Sequence, residues 1–476
     1  MSTRRFIHES RLPVDRAAAF AWHARPGALP RLLPPWESVS VESATGGIEE
    51  GAEVVLRLGM GPVRLRWVAE HKAMEEGVSF RDDQRSGPFA RWEHTHRFLD
   101  DEAGSRLRDD VVYALPLGPI GALFGGGSIR RKLRAQFRFR HAVTRGDLAL
   151  HDRHRDQPRR TVAISGASGL VGSALAALLT TGGHRVLRLV RRDARSEDEL
   201  AWDPATGLRD PEAAPPFDAL VHLAGENIGA GRWTAARREA IRTSRVEHTR
   251  ALMASVARCP TPPTTVVVAS AVGWYGERGD EVLDEDAGPG EGFLAEVCRD
   301  WETAAGEARA FGARVVTPRF GVVLSPSGGA LAKLRTPFSL GVGGPIGRGK
   351  RWMSWISLDD AIGVLHEAVL DPRYDGAVNA VAPEPVTNHT FTKALGRVLR
   401  RPTLLPLPPF VLKLLFGEMA EQTLLASTRA VPGQLQTFAF PFRHPDIESA
   451  LRHGFGRLRA EDVVGETEAA DAAYAG

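Results

Sequence analysis

Cysteine is nearly missing from this chain. Its two thiols, Cys259 and Cys298, are too few for a disulfide framework and form no zinc-ligand pattern, so a reducing compartment is expected. Lysine is scarce as well, confined to positions 72, 132, 333, 350, 393 and 413, and the basic charge is almost all arginine. A formal net charge of +3 gives no electrostatic reason to expect nucleic acid or an acidic membrane surface. No apolar run approaches the ~20 residues that span a bilayer, and MSTRRFIHES at the start lacks the apolar core of a secretory signal. These absences point to the cytoplasm, with no membrane and no nucleic-acid partner. Tyrosine stands only at 113, 275, 374 and 474, and none has a lysine at the fourth position after it.

What is present is ordinary globular composition, 43% hydrophobic and 25% charged, in 476 residues, too many for one core. The most informative stretch runs from 161 to 192. Residues 161–164 are a β-favouring apolar run, and a turn with Gly166, Gly169 and Gly172 follows. A helical pattern through Val171, Leu175, Leu178 and Leu179 stops at Gly182-Gly183, and residues 185–190 read as a second buried strand. In such a βαβ unit the first glycine permits the tight turn, the second lets backbone approach a pyrophosphate, and the third lets helix pack on strand. A dinucleotide phosphate on the free N–H groups at the helix start is the expectation. An acid reading a ribose 2′-hydroxyl would stand near the end of the second strand; Arg191 and Arg192 stand there instead, which suits a 2′-phosphate and favours NADP(H). The alternative is a pair of solvated arginines in an arginine-rich chain.

Strands and helices go on alternating: strand 217–223, helix 234–257, strand 265–270, helix 296–311, strand from 314. The expected fold is α/β, a Rossmann-like doubly wound parallel sheet with ligands at the carboxyl ends of its strands. SGASGLVG (165–172), HLAGENI (222–228), TSRVEHT (243–249), ASAVGWYG (269–276), FLAEVCRDWE (293–302), PRFGVVLS (318–325) and WMSWISLDDA (352–361) together resemble the extended short-chain dehydrogenase/reductase superfamily. Within it they are most similar to an atypical epimerase-like oxidoreductase family of the NAD-dependent epimerase/dehydratase type, and residues 438–451 resemble that family's C-terminal extension. The resemblance implies cofactor contacts at Gly166, Ser168, Gly169, Leu170, Val171, Gly172, Arg191, Arg192, Leu223, Ala224, Gly225, Ala269 and Arg319.

Before this region lies a segment of different character. A strand at 4–10 and a helix starting at Pro13-Val14-Asp15 are followed by six strand-like stretches between 39 and 113, and then by a helical pattern over 120–143 with Ile129, Leu133, Phe137 and His141. This α+β helix-grip order, with SGPFARWEH (86–94) and FRFRH (137–141), resembles the START-like, polyketide-cyclase type (SRPBCC) superfamily, which implies a cavity able to hold an apolar ligand. A filled core without ligand is the other reading. His94, His96 and His141 are expected as surface or hydrogen-bonded histidines and no metal is expected, since no cysteine or carboxylate stands beside them at ligand spacing. The basic run 130–160 reads as a solvated helix face leading into a linker. The expected domains are 1–150 (helix-grip), 151–160 (linker), 161–425 (nucleotide-binding) and 426–476 (a small helical extension).

The resemblance also exposes a departure. The Tyr and Lys places of the superfamily fall near Phe293 and Val297, and the orienting Ser near Ala271, one residue from Ser270. Two readings follow: an NADP(H)-dependent oxidoreductase or epimerase of an unnamed small molecule with Tyr275 and Ser270 as catalytic residues, or a catalytically inactive NADP(H)-binding sensor or apolar-metabolite-binding protein. Glu226, Glu296, Cys298 and Glu302 are weaker candidates for proton transfer. The glycine-rich 341–349 loop lacks a P-loop ending and reads as a flexible rim, and the apolar stretch 408–425 as packed against the nucleotide domain.

Overall fold

A computed structural model of the chain describes residues 3–61, 63–116 and 118–469; Tyr474 lies outside them. Two compact units emerge. One takes residues up to 157 together with 180–183 and those from 452; the other takes 158–179 and 184–451.

The first unit is an antiparallel sheet with helices. Its elements are β1 (Thr3–Leu12), α1 (Arg16–Ala24), α2 (Ala28–Leu32), β2 (Val39–Ala44), β3 (Glu53–Met60), β4 (Val63–Glu75), β5 (Ser79–Ser86), β6 (Arg91–Asp101), β7 (Gly104–Ala114) and α3 (Gly118–Asp152). The strands run in the order β2-β3-β4-β5-β6-β7-β1, and Thr467–Ala469 adds an eighth strand beside β1. Asp15 starts α1 by accepting a hydrogen bond from the Ala18 amide at 2.7 Å, which satisfies one of the helix's orphan donors. Alternation sets the buried face: Trp92, His94, His96 and Phe98 of β6 are buried, as are Ser105, Leu107, Asp109 and Val111 of β7. An aromatic cluster forms around Phe20, Trp22, Phe80 and Phe98, and a second around Phe6, Trp92, Tyr113 and Phe137. The final helix reaches Asp152, so the expected linker begins inside it: Leu148 and Leu150 are buried and carry the apolar face beyond the predicted end. Residues 452–469 were expected within a separate extension and belong instead to this unit, where Arg138 holds Glu466 at 2.8 Å.

The second unit is built on a parallel sheet. Its opening elements are β8 (Thr161–Ser165), α4 (Leu170–Thr181), β9 (Arg185–Val190), β10 (Glu199–Asp203), β11 (Gly207–Leu208), β12 (Ala219–His222), α5 (Ala235–Arg245), α6 (Glu247–Val256), β13 (Thr265–Val268) and β14 (Ser270–Ala271). Strand order is β11-β10-β9-β8-β12-β13, then Arg314–Phe320 and Gly376–Ala380, parallel throughout except at β11. The chain reverses its direction of winding between β8 and β12, the place where open α/β sheets bind ligands. The predicted helix 234–257 is two helices meeting at Val246, and the predicted strand 265–270 pauses at Ala269.

One expectation on the rest of this unit is corrected. The 341–349 loop is pinned, not loose: Gly347 donates to the Leu407 carbonyl at 2.9 Å and Leu407 donates to that of Pro345 at 2.8 Å. The stretch 408–425 packs on this unit as expected, through buried Leu412, Met419, Ala420 and Leu425, with Met419 against Trp233, Phe293 and Val297, while Phe410, Leu414 and Leu415 of the helix Pro409–Phe416 stay exposed. No described helix is long and apolar enough to cross a membrane.

Candidate functional site

The glycine turn after β8 has the geometry its spacing called for. Gly166 adopts φ +71°, and a Cβ on it would stand 3.0 Å from the Ala224 nitrogen and the Leu223 carbonyl carbon. A Cβ on Gly172 would lie 2.2 Å from the Gly166 oxygen, so this helix start rests directly on the turn. Gly169 differs. Its amide closes the turn by donating to Gly166 O at 2.9 Å, yet an added Cβ would meet only that oxygen, at 3.2 Å. Ser168 and Gly169 are exposed, Leu170 and Val171 half-buried. The result is an open backbone concavity at a helix N-terminus whose first amides have no carbonyl to bond, which suits a pyrophosphate.

Two buried residues outside the expected set hold this concavity. Ser165 ends β8 and its Oγ is 2.6 Å from His222 Nδ1 at the end of β12. The same Oγ accepts from the amides of Leu223 at 3.2 Å and Ala224 at 3.4 Å. Burial, and secondarily the nearby His248, lower the His222 pKa to about 4, so the imidazole is neutral near pH 7. The signal was in the sequence: Ser165 and His222 are the polar ends of two otherwise apolar strands. Gly225 is exposed, and Ala269 donates its amide to the His222 carbonyl at 3.0 Å.

At the far end of β9 the two arginines are unequal. Arg192 forms a two-pronged pair with Glu199, at 2.6 and 2.8 Å, which lowers the Glu199 pKa to about 2. Arg191 is exposed, and its guanidinium has no partner among the described residues.

The expected catalytic residues come together in one buried network. Register places Ser270, Arg319 and Asn379 side by side on three neighbouring strands. Glu302, from the helix α7 spanning Phe293–Gly306, takes both arms of Arg319 at 2.9 Å and the Ser270 hydroxyl at 2.6 Å. Arg319 also donates to the Tyr275 hydroxyl at 3.0 Å and lies 3.9 Å over the Trp274 ring. Tyr275 is fully buried and its hydroxyl lies 2.7 Å from Asn379 Oδ1 and 2.8 Å from the Asp284 carbonyl oxygen. Burial pushes the Tyr275 hydroxyl above its ordinary value, and Arg319 only partly opposes this. Arg319 was expected among the cofactor contacts; its guanidinium is buried and engaged by Glu302 and Tyr275.

The weaker candidates scatter. Glu296 is exposed on α7, and Glu226 pairs with Arg237 at 2.6 Å. Cys298 is buried, with burial and then Glu302 pushing its thiol up to about 12, which leaves it protonated and unreactive. Phe293 and Val297, at the Tyr and Lys places, are both buried.

In the first unit, His94, His96 and His141 are buried rather than on the surface, and of the two expected settings the hydrogen-bonded one holds for His94 and His141, with carboxylates that sequence spacing did not show. Strand pairing brings Asp82 and Asp109 against them: Asp82 opposes His94 and Asp109 opposes His96. Sequence spacing hid this, because the carboxylates come from neighbouring strands.

Comparison with known proteins agrees with this architecture. A model of the NAD dependent epimerase/dehydratase family matches residues 162–380, one described as polyketide cyclase/dehydrase and lipid transport matches 12–138, and a domain of unknown function (DUF1731) matches 407–454. An epimerase family protein of Mycobacterium tuberculosis is 47% identical over 296 residues, 62% of this chain and 98% of the relative. The solved nucleoside-diphosphate sugar epimerase from Corynebacterium glutamicum is 36% identical with a TM-score of 0.78, over 94% of this chain and 90% of that one. The human epimerase family protein SDR39U1 (isoform 2), solved with NADPH, is 33% identical with a TM-score of 0.58, over 63% of this chain and all of that one.

Proposed function

The chain belongs to the NAD-dependent epimerase/dehydratase family, and from that premise we propose that it binds NADPH and acts as an oxidoreductase or epimerase-like enzyme on a small molecule. The observation that carries the reading is the open glycine concavity between β8 and β12, with Arg191 free to meet a 2′-phosphate. When bound, the nicotinamide gives hydride to, or takes it from, a carbonyl or alcohol carbon. On this reading Gly169 admits the pyrophosphate, and Ser165 and His222 fix the loops on either side. The carboxylate of Glu302 accepts the hydrogen bond of the Ser270 hydroxyl, which a substrate oxygen would share. Ser270 is the catalytic residue and Tyr275, buried behind Arg319, is a positioning residue. The proposed partners are a small-molecule substrate and, for the first unit, an apolar ligand; the proposed compartment is the cytoplasm.

A second reading is favoured by one specific observation. With Phe293 and Val297 at the Tyr and Lys places, and with Ser270 and Tyr275 both buried, NADPH would be held as a sensed ligand without turnover. One experiment separates the two. Purified protein is titrated with NADPH and NADH by fluorescence, then incubated with carbonyl and alcohol panels while absorbance of the reduced nicotinamide is followed. Tighter NADPH than NADH with turnover that Ser270→Ala reduces supports the enzyme. Binding with no change of oxidation state supports the sensor, and no preference for NADPH refutes the role of Arg191.

A further inference from the structure

The inner face of the first unit carries a row of polar side chains where a helix-grip core would place apolar ones. Asp82 of β5 points its Oδ2 at two imidazoles of β6, 3.0 Å from His94 Nδ1 and 3.5 Å from His96 Nε2. One ligand atom from each of the three lies within 4.8 Å of the others. Ligand atoms bound at about 2.0–2.2 Å in a tetrahedral set stand some 3.3 Å apart, so the observed spacings fit a shared ion. His94 and His96 are buried and Asp82 nearly so.

The opposite nitrogens of both rings point to a second carboxylate. Asp109 Oδ1 is 2.9 Å from His94 Nε2 and 2.7 Å from His96 Nδ1. Its Oδ2 is 2.5 Å from His141 Nε2, and His141 Nδ1 in turn is 2.6 Å from the Ser10 hydroxyl. For His94 this is the pattern metal-bound histidines show, one nitrogen toward the ion and the other hydrogen-bonded to a carboxylate that fixes the ring, while His96 Nδ1 lies at ion-pair distance from the same carboxylate without a hydrogen bond. The carboxylates of Asp82 and Asp109 are paired only with histidines among the described residues, with no arginine or lysine at ion-pair distance. Beside Asp82 in register, His71 has a buried Nδ1 with no hydrogen-bond partner among the described residues.

We propose that Asp82, His94 and His96 bind one divalent transition-metal ion, zinc or iron(II) in type, with Asp109, backed by His141 and Ser10, orienting the two imidazoles. Two imidazoles and one carboxylate are the donor set such ions take when positions are left for water or an oxygen ligand. The site lies wholly in the first unit.

The test uses the full chain. Protein is stripped with EDTA, its circular dichroism is checked, and it is titrated calorimetrically with Zn²⁺ and separately with Co²⁺, whose visible bands report coordination. One equivalent is expected to bind. Asp82→Asn, which keeps the side-chain shape, and His96→Ala should each weaken binding at least 100-fold, while Asp109→Asn should cost about 10–100-fold, as orienting carboxylates do. Wild-type protein that stays folded and takes up no stoichiometric ion overturns the proposal, whatever the variants do. So does an equivalent bound with unchanged affinity by folded Asp82→Asn, which would assign the ion to another histidine cluster.

Discussion

Two single-methyl substitutions in the same turn should have opposite signatures. Gly172→Ala places a Cβ 2.2 Å from the Gly166 oxygen and 2.8 Å from its carbonyl carbon, backbone atoms that cannot rotate aside. Alanine in a helix gains about 1 kcal/mol over glycine. Forcing backbone apart by close to an ångström costs about 1–3 kcal/mol or more. With the contact as short as 2.2 Å the cost lies toward the upper end of that range, and a net loss of up to about 2 kcal/mol should lower the unfolding midpoint of the second unit by a few degrees. Gly169→Ala meets only one oxygen at 3.2 Å and has no left-handed backbone to strain, so stability should change by less than about 0.5 kcal/mol. Its methyl nevertheless occupies the side from which a pyrophosphate approaches. NADPH affinity, measured by fluorescence titration, should fall at least tenfold in Gly169→Ala while its calorimetric midpoint stays at the wild-type value. Gly169→Ala protein that binds NADPH as tightly as wild type would refute the assignment of the concavity, and an unshifted Gly172→Ala midpoint would refute the packing argument.

Other outcomes follow from the same geometry. Arg191→Ala should weaken NADPH at least tenfold and leave NADH unchanged, while Arg192→Ala should do less, because Glu199 already neutralises that guanidinium; paired titrations decide. Glu302→Gln leaves the buried Arg319 without its charge partner and should destabilise by about 3–5 kcal/mol in denaturant unfolding, more than Tyr275→Phe at about 1–3 kcal/mol. His222 has a native pKa of about 4 against 6.5 for the free side chain. Below pH 6.5 the unfolded chain therefore binds a proton the native one refuses. Stability should fall by up to about 3 kcal/mol between pH 6.5 and 4, a slope that His222→Asn removes in pH-dependent melting.

Much of this was readable from residues alone, and the failures have physical causes. The βαβ unit around Gly166 and the meander of the first unit were legible because each rests on local periodicity and on turns that only glycine serves. Helix ends were harder. Val246 divides α5 from α6 while keeping right-handed helical dihedrals and its amide bond to the Arg242 carbonyl, and no glycine or proline marks the break in the sequence. Asp82 and Asp109 could not be paired with His94 and His96 without knowing which strands lie side by side. An acid at an inward position of an alternating strand was the available clue. The pairing of Arg319 with Glu302 was not legible because a strand-end arginine looks the same in sequence whether it faces a ligand or a buried glutamate.

The eighth strand of the first unit, Thr467–Ala469, carries one more implication. It lies against β1, and Glu466 just before it receives Arg138, so the opening sheet is finished by residues that leave the ribosome after the whole second unit has been made. During synthesis the N-terminal segment up to residue 157 must wait with one margin of β1 bare, a margin that can recruit foreign strands. A fragment cut near residue 157 inherits that bare margin permanently. Expressed alone, such a fragment should self-associate unless residues 452–469 are supplied as a separate peptide.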